Sequence, residues 1–398
     1  MRRSLLVAAG AVASLLIAPT AQAADCDSDV VLIRGSSASQ KLIEAVAKVA
    51  VTQGVKIVYS SSGSSCLGGV YEAVTPTPTT TGRAGSASTI YDVNAPTATC
   101  TFSTPRVADI GVSDVYASSC EGVAGLSTTT LPADVTDTLG PVQAFTLAVN
   151  DDPSFPVAIS SEAAFNTFGI VGRNGDASFG VTPWTTVADI FGRKLDSGTW
   201  QTWARSLGLP PQKPVVDAQQ KSGAKDVLAA LDTSNRASAI GIIALNDIVP
   251  TNGVAPKVRP LAFRAKGQDF AYYPSSTSTA SDMINVRDGH YAVWANLHFF
   301  ARKTNGQYSP SVATVLNLLE SKEAVSVVAK TRAVPTCAMQ VQRTSDAGDF
   351  SAYKPAKPCG CFFEQEASGV APASCTTCTD DSACGANGQC VFGFCEAK

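Results

Sequence analysis

An apolar strand, a serine-rich turn and a helix follow one another twice near the start of this 398-residue chain. Residues 30–33 are apolar, residues 34–39 form the turn, and apolar residues then recur at helical spacing over 42–50. The same order of elements returns between residues 55 and 74. Strands that alternate with helices in this way predict an α/β fold with a largely parallel sheet.

The chain up to residue 336 continues this pattern, apart from one stretch. Apolar runs at 107–112, 142–149, 240–245, 258–263 and 290–300 predict further strands, and residues 200–207, 224–231 and 311–330 predict helices. Residues 75–105 are rich in Thr, Pro, Ser and Gly, which favours an irregular insertion held in place by Cys100. The length allows about two domains and an appendage.

Residues 1–23 have the features of a secretory signal peptide. A basic start precedes an apolar segment at 5–17, which ends in the small-residue motif Ala-Gln-Ala at 21–23. The apolar segment is shorter than the roughly 20 residues that a membrane-spanning helix needs, so a membrane anchor is the weaker interpretation. We therefore expect the mature chain to begin at Ala24 and to be periplasmic or extracellular.

The chain contains twelve cysteines, an even number that in an exported protein indicates disulfides. Eight of them fall within residues 337–398, a Cys-rich module whose last part has almost no aliphatic core and must be held by bridges. The Cys375-x2-Cys378 spacing also occurs in zinc sites, but the oxidising compartment and the uneven spacing favour disulfides. The pairing stays open, although we expect the late cysteines to pair mainly among themselves.

Charge and histidine content exclude several classes of function. The formal net charge of −3 becomes about −5 once the two leader arginines are removed, which argues against nucleic acid as a partner. Only His290 and His298 are present, which leaves little material for a histidine metal site or a Ser-His-Asp triad. We therefore expect no metal, no cofactor and no catalysis, and a chemistry based on hydroxyls, amides and a few charges.

Three turns place hydroxyl-bearing or glycine residues directly before a helix, at residues 36–39, 62–65 and 197–199. The first turn of a helix offers unpaired backbone N–H groups and a partial positive charge, which together bind anions. Serine is also a common helix cap, and capping is the better explanation of any one of these turns alone. Three such turns in one chain favour a shared anion site.

Arg193 and Asp114 are the charged candidates for such a site. Arg193 lies four residues before Ser197, and its guanidinium fork can bind an oxyanion through two parallel hydrogen bonds. Asp114 ends an apolar strand, where a carboxylate repels an anion unless the ligand brings a proton for it to accept. The pair predicts a protonated oxyanion such as hydrogen phosphate. The alternatives are a solvated surface arginine and an aspartate that only caps the next turn.

Six short runs of sequence resemble, in order, runs of the type II periplasmic phosphate-binding proteins. They are Arg-Gly-Ser-Ser-Ala-Ser at 34–39, Ser-Gly-Ser-Ser at 62–65 with Gly-Gly at 68–69, Ala-Asp-Ile-Gly-Val-Ser-Asp at 108–114, Arg-Lys-Leu-Asp-Ser-Gly-Thr at 193–199, Ala-Ile-Gly-Ile at 239–242 and Val-Arg-Asp-Gly-His-Tyr at 286–291. Each run is short, but all six occur in the family's order. The resemblance spans about residues 28–335 and leaves the Cys-rich module uncovered.

The resemblance implies a two-lobed α/β fold of the periplasmic-binding-protein type, with crossing strands and a ligand cleft between the lobes. The implied limits are about 24–140 and 255–336 for the first lobe and about 141–254 for the second, followed by the Cys-rich module at 337–398. It also implies a monomer that binds phosphate or a similar small oxyanion and closes on it by a hinge motion. The implied partner is the permease of an ABC transporter.

Carried over position by position, the resemblance implies binding residues from both lobes. They are Ser39 and the Gln40 amide in the first loop, Ser64 in the second loop, Asp114 as the acceptor of the ligand's proton, and Arg193, Ser197, Gly198 and Thr199 as the anchor.

The sequence departs from the family pattern around these positions. Leu195 stands where a second carboxylate is common, Asp196 is displaced by one position, and Cys66-Leu67 interrupt the second loop. These departures leave the ligand's identity more open than the fold. A second alignment makes residues 222–224 the anchor, but that version has no arginine.

Two other classes of function are alternatives. Ser222 and Lys225 fit the Ser-x-x-Lys pattern of acyl-serine hydrolases, but the later motifs at 281–283 and 303–305 each fail at their third residue. A secreted adhesion or structural protein could use the same fold as a scaffold and its Cys-rich module as a binding surface. The order of the six runs favours a solute-binding protein over both.

Overall fold

The computed structural model describes residues 24–26, 30–61, 64–75, 87–91, 98–101, 106–123, 126, 128–234, 236–249 and 257–397. The predicted signal peptide and residues 62 and 63 of the second serine turn lie outside these ranges. None of the helices within them combines the length and the apolar character needed to cross a membrane.

The strands in the described ranges are β1 (Ala24–Asp25), β2 (Val31–Gly35), β3 (Ile57–Ser60), β4 (Ala87–Tyr91), β5 (Ala98–Thr101), β6 (Ile110–Ser113), β7 (Val135–Asn150), β8 (Ala158–Ser160), β9 (Ile190–Arg193), β10 (Gln220–Lys221), β11 (Ile240–Ala244), β12 (Val258–Pro260), β13 (Ala262–Arg264), β14 (Trp294–Arg302), β15 (Ala333–Val334), β16 (Val341–Gln342), β17 (Ser351–Ala352), β18 (Gly388–Val391) and β19 (Phe394–Ala397).

The α-helices are α1 (Gln40–Thr52), α2 (Tyr71–Val74), α3 (Ser161–Ala164), α4 (Gly172–Asn174), α5 (Gly198–Ser206), α6 (Ala224–Ser234), α7 (Ile284–Arg287), α8 (Pro310–Leu318), α9 (Lys322–Ala329) and α10 (Gly360–Ser368). Two segments, Ser64–Val70 and Phe165–Val171, are π-helical. Two 3-10 turns, Ser37–Ser39 and Leu245–Ile248, lie near the site described below.

Helix α1 forms where the sequence repeats apolar residues at helical spacing. Leu42, Val46 and Ala50 are each no more than 1% exposed and lie on one face of the helix, whereas Lys48 lies on the opposite face and is exposed. Gly54 follows the helix with a φ of +78°, a conformation that glycine adopts without strain. The buried face of α1 packs on the first-lobe core.

Strand β7 joins the two lobes. Its residues 135–144 pair with β14, and its residues 145–148 pair with β11. Strand β14 also pairs with β6, so the sheet runs without a break in the order β1-β5-β4-β3-β2-β6-β14-β7-β11-β9-β10. The predicted two-lobed α/β fold with a Cys-rich segment at its end is confirmed.

The sheet is mixed rather than largely parallel. Strands β2, β3 and β6 are parallel, as expected, but β14 pairs antiparallel with both β6 and β7. The stretch 75–105 was predicted to be irregular, and this is wrong in its described parts, because β4 extends the sheet antiparallel to β3 and β5 pairs antiparallel with β4. Its abundant Pro and Gly masked two short strands, of which β5 carries the Cys100 that is bonded to Cys26.

Strands β12 and β13 indicate at which residue the chain returns from the second lobe to the first. Strand β12 pairs with residues 148–150 of β7, and β13 pairs with β8. Both contribute apolar residues to the core that holds β9 and β11. We therefore propose that the chain returns at β14 rather than at residue 255.

All twelve cysteines are paired in six disulfides, and none is free. The early cysteines form two of the six bonds, and the late ones pair only among themselves, as predicted. The pairs are Cys26–Cys100, Cys66–Cys120, Cys337–Cys359, Cys361–Cys375, Cys378–Cys390 and Cys384–Cys395. The sulfur atoms at the spacing that also suggested zinc are thus bonded to other sulfur atoms.

The Cys-rich module packs against the lobes. Phe362 and Phe363 of α10 belong to the same apolar core as the second-lobe strands. Asp346 is buried and accepts hydrogen bonds from the Tyr116 N–H at 2.9 Å and from the Ser119 hydroxyl at 2.6 Å. The module therefore touches the loop that follows β6, on which Asp114 lies.

Candidate functional site

The carboxyl ends of three strands bring the predicted site residues together. Strands β2 and β6 are parallel neighbours, so the loops that follow them leave the same edge of the first-lobe sheet. The first carries the serine turn and the second carries Asp114. Strand β9 of the second lobe ends at Arg193, which contacts the first of these loops.

The serine turn after β2 is fixed by side chains from elsewhere in the fold. Ser36 caps it, with its hydroxyl oxygen accepting from the Ala38 N–H at 3.1 Å. The Ala38 carbonyl then accepts from the side-chain amides of Gln143, at 2.6 Å, and Asn246, at 2.7 Å. The turn is therefore held by the crossing strand β7 and by the turn that follows β11.

The second loop approaches Asp114 because glycine allows close backbone packing. A Cβ atom on Gly69 would lie 2.3 Å from the Val112 carbonyl oxygen, so only glycine fits there. This packing lays the segment Ser64–Val70 against β6. The Ser65 hydroxyl consequently donates to Asp114 Oδ1 at 2.7 Å.

Asp114 is a buried carboxyl group, 1% exposed. Burial raises its pKa, while hydrogen bonds from Ser36 and Ser65 and the charge of Arg193 act in the opposite direction. The group is thus held among donors that satisfy an ionised carboxylate, in an environment that penalises the charge. A ligand O–H group that donates to the Asp114 carboxylate would reduce the cost of burying its charge.

The first turn of α5 meets the first lobe at Asp114. A Cβ atom on Gly198 would lie 2.6 Å from the Ser65 hydroxyl and 2.8 Å from Asp114 Cγ. The Cys66 N–H also donates across the lobes to the Asp196 carbonyl at 3.1 Å. The positive end of the helix therefore faces the same point as Asp114 and the second loop.

Arg193 is fully buried between the lobes. Its Nε donates to the Lys221 carbonyl at 3.2 Å, and its Nη2 donates to the Ser37 hydroxyl at 2.9 Å and to the Ser222 carbonyl at 3.1 Å. Its Nη1 is buried and has no hydrogen-bond partner among the described residues. Burial lowers the pKa of Arg193, and the nearby carboxyl groups Asp247 and Asp114 raise it.

The eight predicted site residues have three kinds of position in the structure. Asp114, Arg193, Ser197, Gly198 and Thr199 are buried at or next to the point where the lobes meet, and the Thr199 hydroxyl has no partner there. Ser39 and Gln40 instead use their polar groups inside the turn, since the Ser39 hydroxyl donates to the Ser36 carbonyl at 2.9 Å and the Gln40 N–H donates to the Ser37 carbonyl. Ser64 is buried with a φ of +53°, one residue before the serine that binds Asp114.

Four residues of the site were missed by the residue-by-residue alignment. Ser36, Ser37 and Ser65 lie in the serine runs that predicted the site, but neighbouring positions were selected. Asp247 carried no signal, because it follows an ordinary apolar strand and belongs to none of the six runs. Only the fold brings it close to Arg193.

The geometry does not favour the acyl-serine hydrolase. Ser222 and Lys225 are both exposed at the start of α6. Ser222 contributes its backbone carbonyl to Arg193, and Gly223 donates its N–H to Asp226 at 3.0 Å. The second alignment, which made residues 222–224 the anchor, thus points to a turn that contacts the same arginine.

No protein-family model and no curated protein matches this chain, but solved structures do. A protein from Clostridium perfringens, assigned as a phosphate ABC transporter substrate-binding protein and solved with bound phosphate, aligns with a TM-score of 0.50 and 15% identity over 77% of this chain and 99% of its own. An ABC-type phosphate transport receptor from Vibrio cholerae aligns at 0.44 and 13% over 76% and 99%. A periplasmic molybdate-binding protein from Azotobacter vinelandii aligns at 0.38 and 12% over 76% and 98%.

At this level of identity the similarity concerns the fold. The chain has the two-lobed architecture of solute-binding proteins, and the similarity of its sequence motifs to phosphate-binding proteins is matched by a similarity of structure. The identity of the ligand depends on the residues where the lobes meet.

Gly198 provides a test of the contact between α5 and the first lobe. Replacing it with alanine puts a methyl group within 3 Å of Ser65 and Asp114, so we expect Gly198→Ala to destabilise the protein by about 1–3 kcal/mol. Denaturant unfolding measures this change. Gly223→Ala is the matched control, because its methyl group would meet only Asp226 Oδ2 at 3.8 Å, and it should stay within about 0.5 kcal/mol of the wild type. Equal stability of the two variants would contradict this geometry.

Proposed function

We propose that this protein is an exported solute-binding protein that binds a small oxyanion between its lobes, and that the anion is hydrogen phosphate. The observation that carries the proposal is Arg193, which is fully buried and keeps one N–H group without a partner among the described residues. It forms no direct ion pair with a described carboxylate. Its direct partners are two carbonyls and one hydroxyl, all of them neutral.

A buried charge of this kind is costly. Moving an ion from water into a protein interior costs several kcal/mol, which neutral hydrogen-bond partners offset only in part. An oxyanion would accept two parallel bonds from a guanidinium and supply the opposite charge. The start of α5, one turn further along the chain, adds backbone N–H groups and the positive end of a helix.

Asp114 supports phosphate over a fully ionised anion. A carboxylate next to the site repels sulfate, which has no proton to donate near neutral pH, whereas hydrogen phosphate can donate its O–H to the carboxylate. Burial raises the pKa of Asp114, but the hydrogen bonds from Ser36 and Ser65 and the charge of Arg193 act against burial and favour the form that accepts a proton. The specificity would therefore come from repulsion of sulfate as much as from attraction of hydrogen phosphate.

Export and transport complete the proposal. The signal-like leader and the six disulfides support a periplasmic or extracellular location, because disulfides persist outside the reducing cytosol. The alignment with a phosphate ABC transporter substrate-binding protein supports a permease as the partner. We take the protein to act as a monomer and without catalysis, and the lobes to close by rotation about β7 and β14.

The role of Arg193 can be tested by removing its charge. In Arg193→Met the side chain keeps a similar length but loses the guanidinium, so phosphate binding should weaken by about 2–5 kcal/mol, or roughly thirtyfold and more. Isothermal titration calorimetry of the mature protein measures the affinity. Arg264→Ala is the control, since this arginine is 44% exposed and paired with Glu162 on the surface. Phosphate affinity that is the same in both variants would place the binding site elsewhere.

The role of Asp114 can be tested through selectivity. In Asp114→Asn the side-chain amide can donate to a fully ionised oxyanion, so sulfate should gain on phosphate by about tenfold or more. Competition between the two anions, monitored by calorimetry, measures the ratio. The control is Asp232→Asn, because Asp232 is exposed on α6 and should leave the ratio unchanged. An unchanged ratio in Asp114→Asn would remove the argument for a protonated anion.

A further inference from the structure

Asp247 is a half-buried residue near the site, and none of the sequence motifs contains it. It lies in the turn Leu245–Ile248, directly after the second-lobe strand β11. Its Oδ2 atom is shielded from solvent and has no hydrogen-bond partner among the described residues. A buried acceptor without a partner carries a desolvation cost, so its position calls for an explanation.

Two contacts hold this turn against the first lobe. Asn246 donates its side-chain amide to the Ala38 carbonyl at 2.7 Å, next to the Ser37 that binds Arg193. Lys41 Nζ, from the first turn of α1, donates to the carbonyls of Val249 at 2.8 Å and Asp247 at 3.4 Å. The turn is thus part of the surface on which the two lobes meet.

Charged groups from four elements surround Asp247. Arg193 of β9, Lys41 of α1 and Lys225 of α6 favour its ionised form, and Asp114 after β6 opposes it. Burial outweighs the favourable charges and raises the pKa of Asp247 to about 7. The carboxyl group of Asp247 therefore changes between its neutral and ionised forms near neutral pH.

The balance of charge limits what the site can accept. Asp114, Asp196 and Asp247 are three carboxyl groups near Arg193, and burial raises the pKa of each. If all three were ionised, their charge would exceed that of Arg193, and Lys41 and Lys225 would offset only part of the excess. A proton on the ligand or on one of these side chains therefore favours the binding of an anion.

Resting on the proposed function, we propose that Asp247 is a specificity-determining residue, a neutral carboxyl group that donates a hydrogen bond to the bound oxyanion. When the ligand binds, the Asp247 carboxylate takes up a proton from solvent. The site would bind an oxyanion through two carboxyl groups with opposite roles, Asp114 as acceptor and Asp247 as donor. The ligand class is an anion with at least one bare oxygen and at least one O–H group.

The affinity for the anion depends on pH because anion binding and protonation of Asp247 favour each other. A bound anion favours the neutral form of Asp247, so the pKa of Asp247 is higher in the complex than in the free protein. The affinity for a given ionic form of the ligand is therefore greatest below about pH 7 and falls as the pH rises above it, by up to about tenfold per pH unit. A side chain that cannot ionise at this position would remove that fall.

Calorimetry with inorganic phosphate tests the proposal in wild type and in Asp247→Asn, between pH 6 and 8.5, in two buffers of different ionisation enthalpy. Wild type should take up about half a proton more per phosphate at pH 7 than Asp247→Asn, whose affinity should fall less steeply with pH. Phosphate's own ionisation contributes equally to both proteins. Asp226→Asn removes an exposed carboxylate that also interacts with Arg193 and should match the wild type.

The outcomes separate this inference from the function on which it rests. Equal proton uptake and equal pH dependence in wild type and Asp247→Asn would overturn the role of Asp247 while leaving phosphate binding intact. Absence of phosphate binding by the wild type would overturn the proposed function itself. Asp247→Ser, which also removes the carboxyl group, replaces the Asn variant if that protein does not fold, and the same difference from wild type is expected.

Discussion

The positive charge of Arg193 is buried where the two lobes meet, and residues of both lobes are arranged around it. The side chain leaves the end of β9 in the second lobe and reaches the Ser37 hydroxyl in the first, while the turn before α6 supplies carbonyls to its other side. Each of these neutral partners reduces the cost of desolvation without cancelling the charge. The carboxyl groups Asp114 and Asp247 lie near enough to offset it electrostatically, yet neither forms a direct ion pair with it. In the proposed function, an anion supplies the charge that these partners do not.

The frame around that centre is a continuous sheet whose longest strand, β7, belongs to both lobes. Residues 135–144 pair with β14 and residues 145–148 pair with β11, so this one strand connects the two lobes. The Cys-rich module adds a constraint. Asp346 binds the loop after β6, and Arg343 lies 3.9 Å from the Trp294 ring on the crossing strand β14. The module is therefore in contact with the elements that would bend when the lobes close.

Sequence patterns predicted the lobes well where burial is regular, on one face of helix α1 and along the whole length of strands β2, β6 and β11. Helix α1 and strands β2, β6 and β11 followed from apolar spacing, and the disulfides of the late cysteines followed from their number and crowding. Strands β4 and β5 were missed because Thr and Pro obscured a two-strand edge whose partner is distant in sequence. At the site, the serine runs located the turns, but which serine points to which partner depends on backbone geometry: Ser65 rather than Ser64 binds Asp114, and Ser37 rather than Ser39 binds Arg193. Asp247 was invisible for the same reason, since only tertiary packing brings it to Arg193.

The most direct test of the account is the position of a bound anion. Arsenate has the shape, charge and protonation of phosphate, and its arsenic atom scatters X-rays anomalously. In crystals of the mature protein grown with arsenate, diffraction recorded above the arsenic absorption edge should show one strong peak per chain, with oxygens in hydrogen-bond contact with the Arg193 guanidinium and the Asp114 carboxyl group. A peak elsewhere in the molecule, or no peak at an arsenate concentration that saturates binding in solution, would contradict the account.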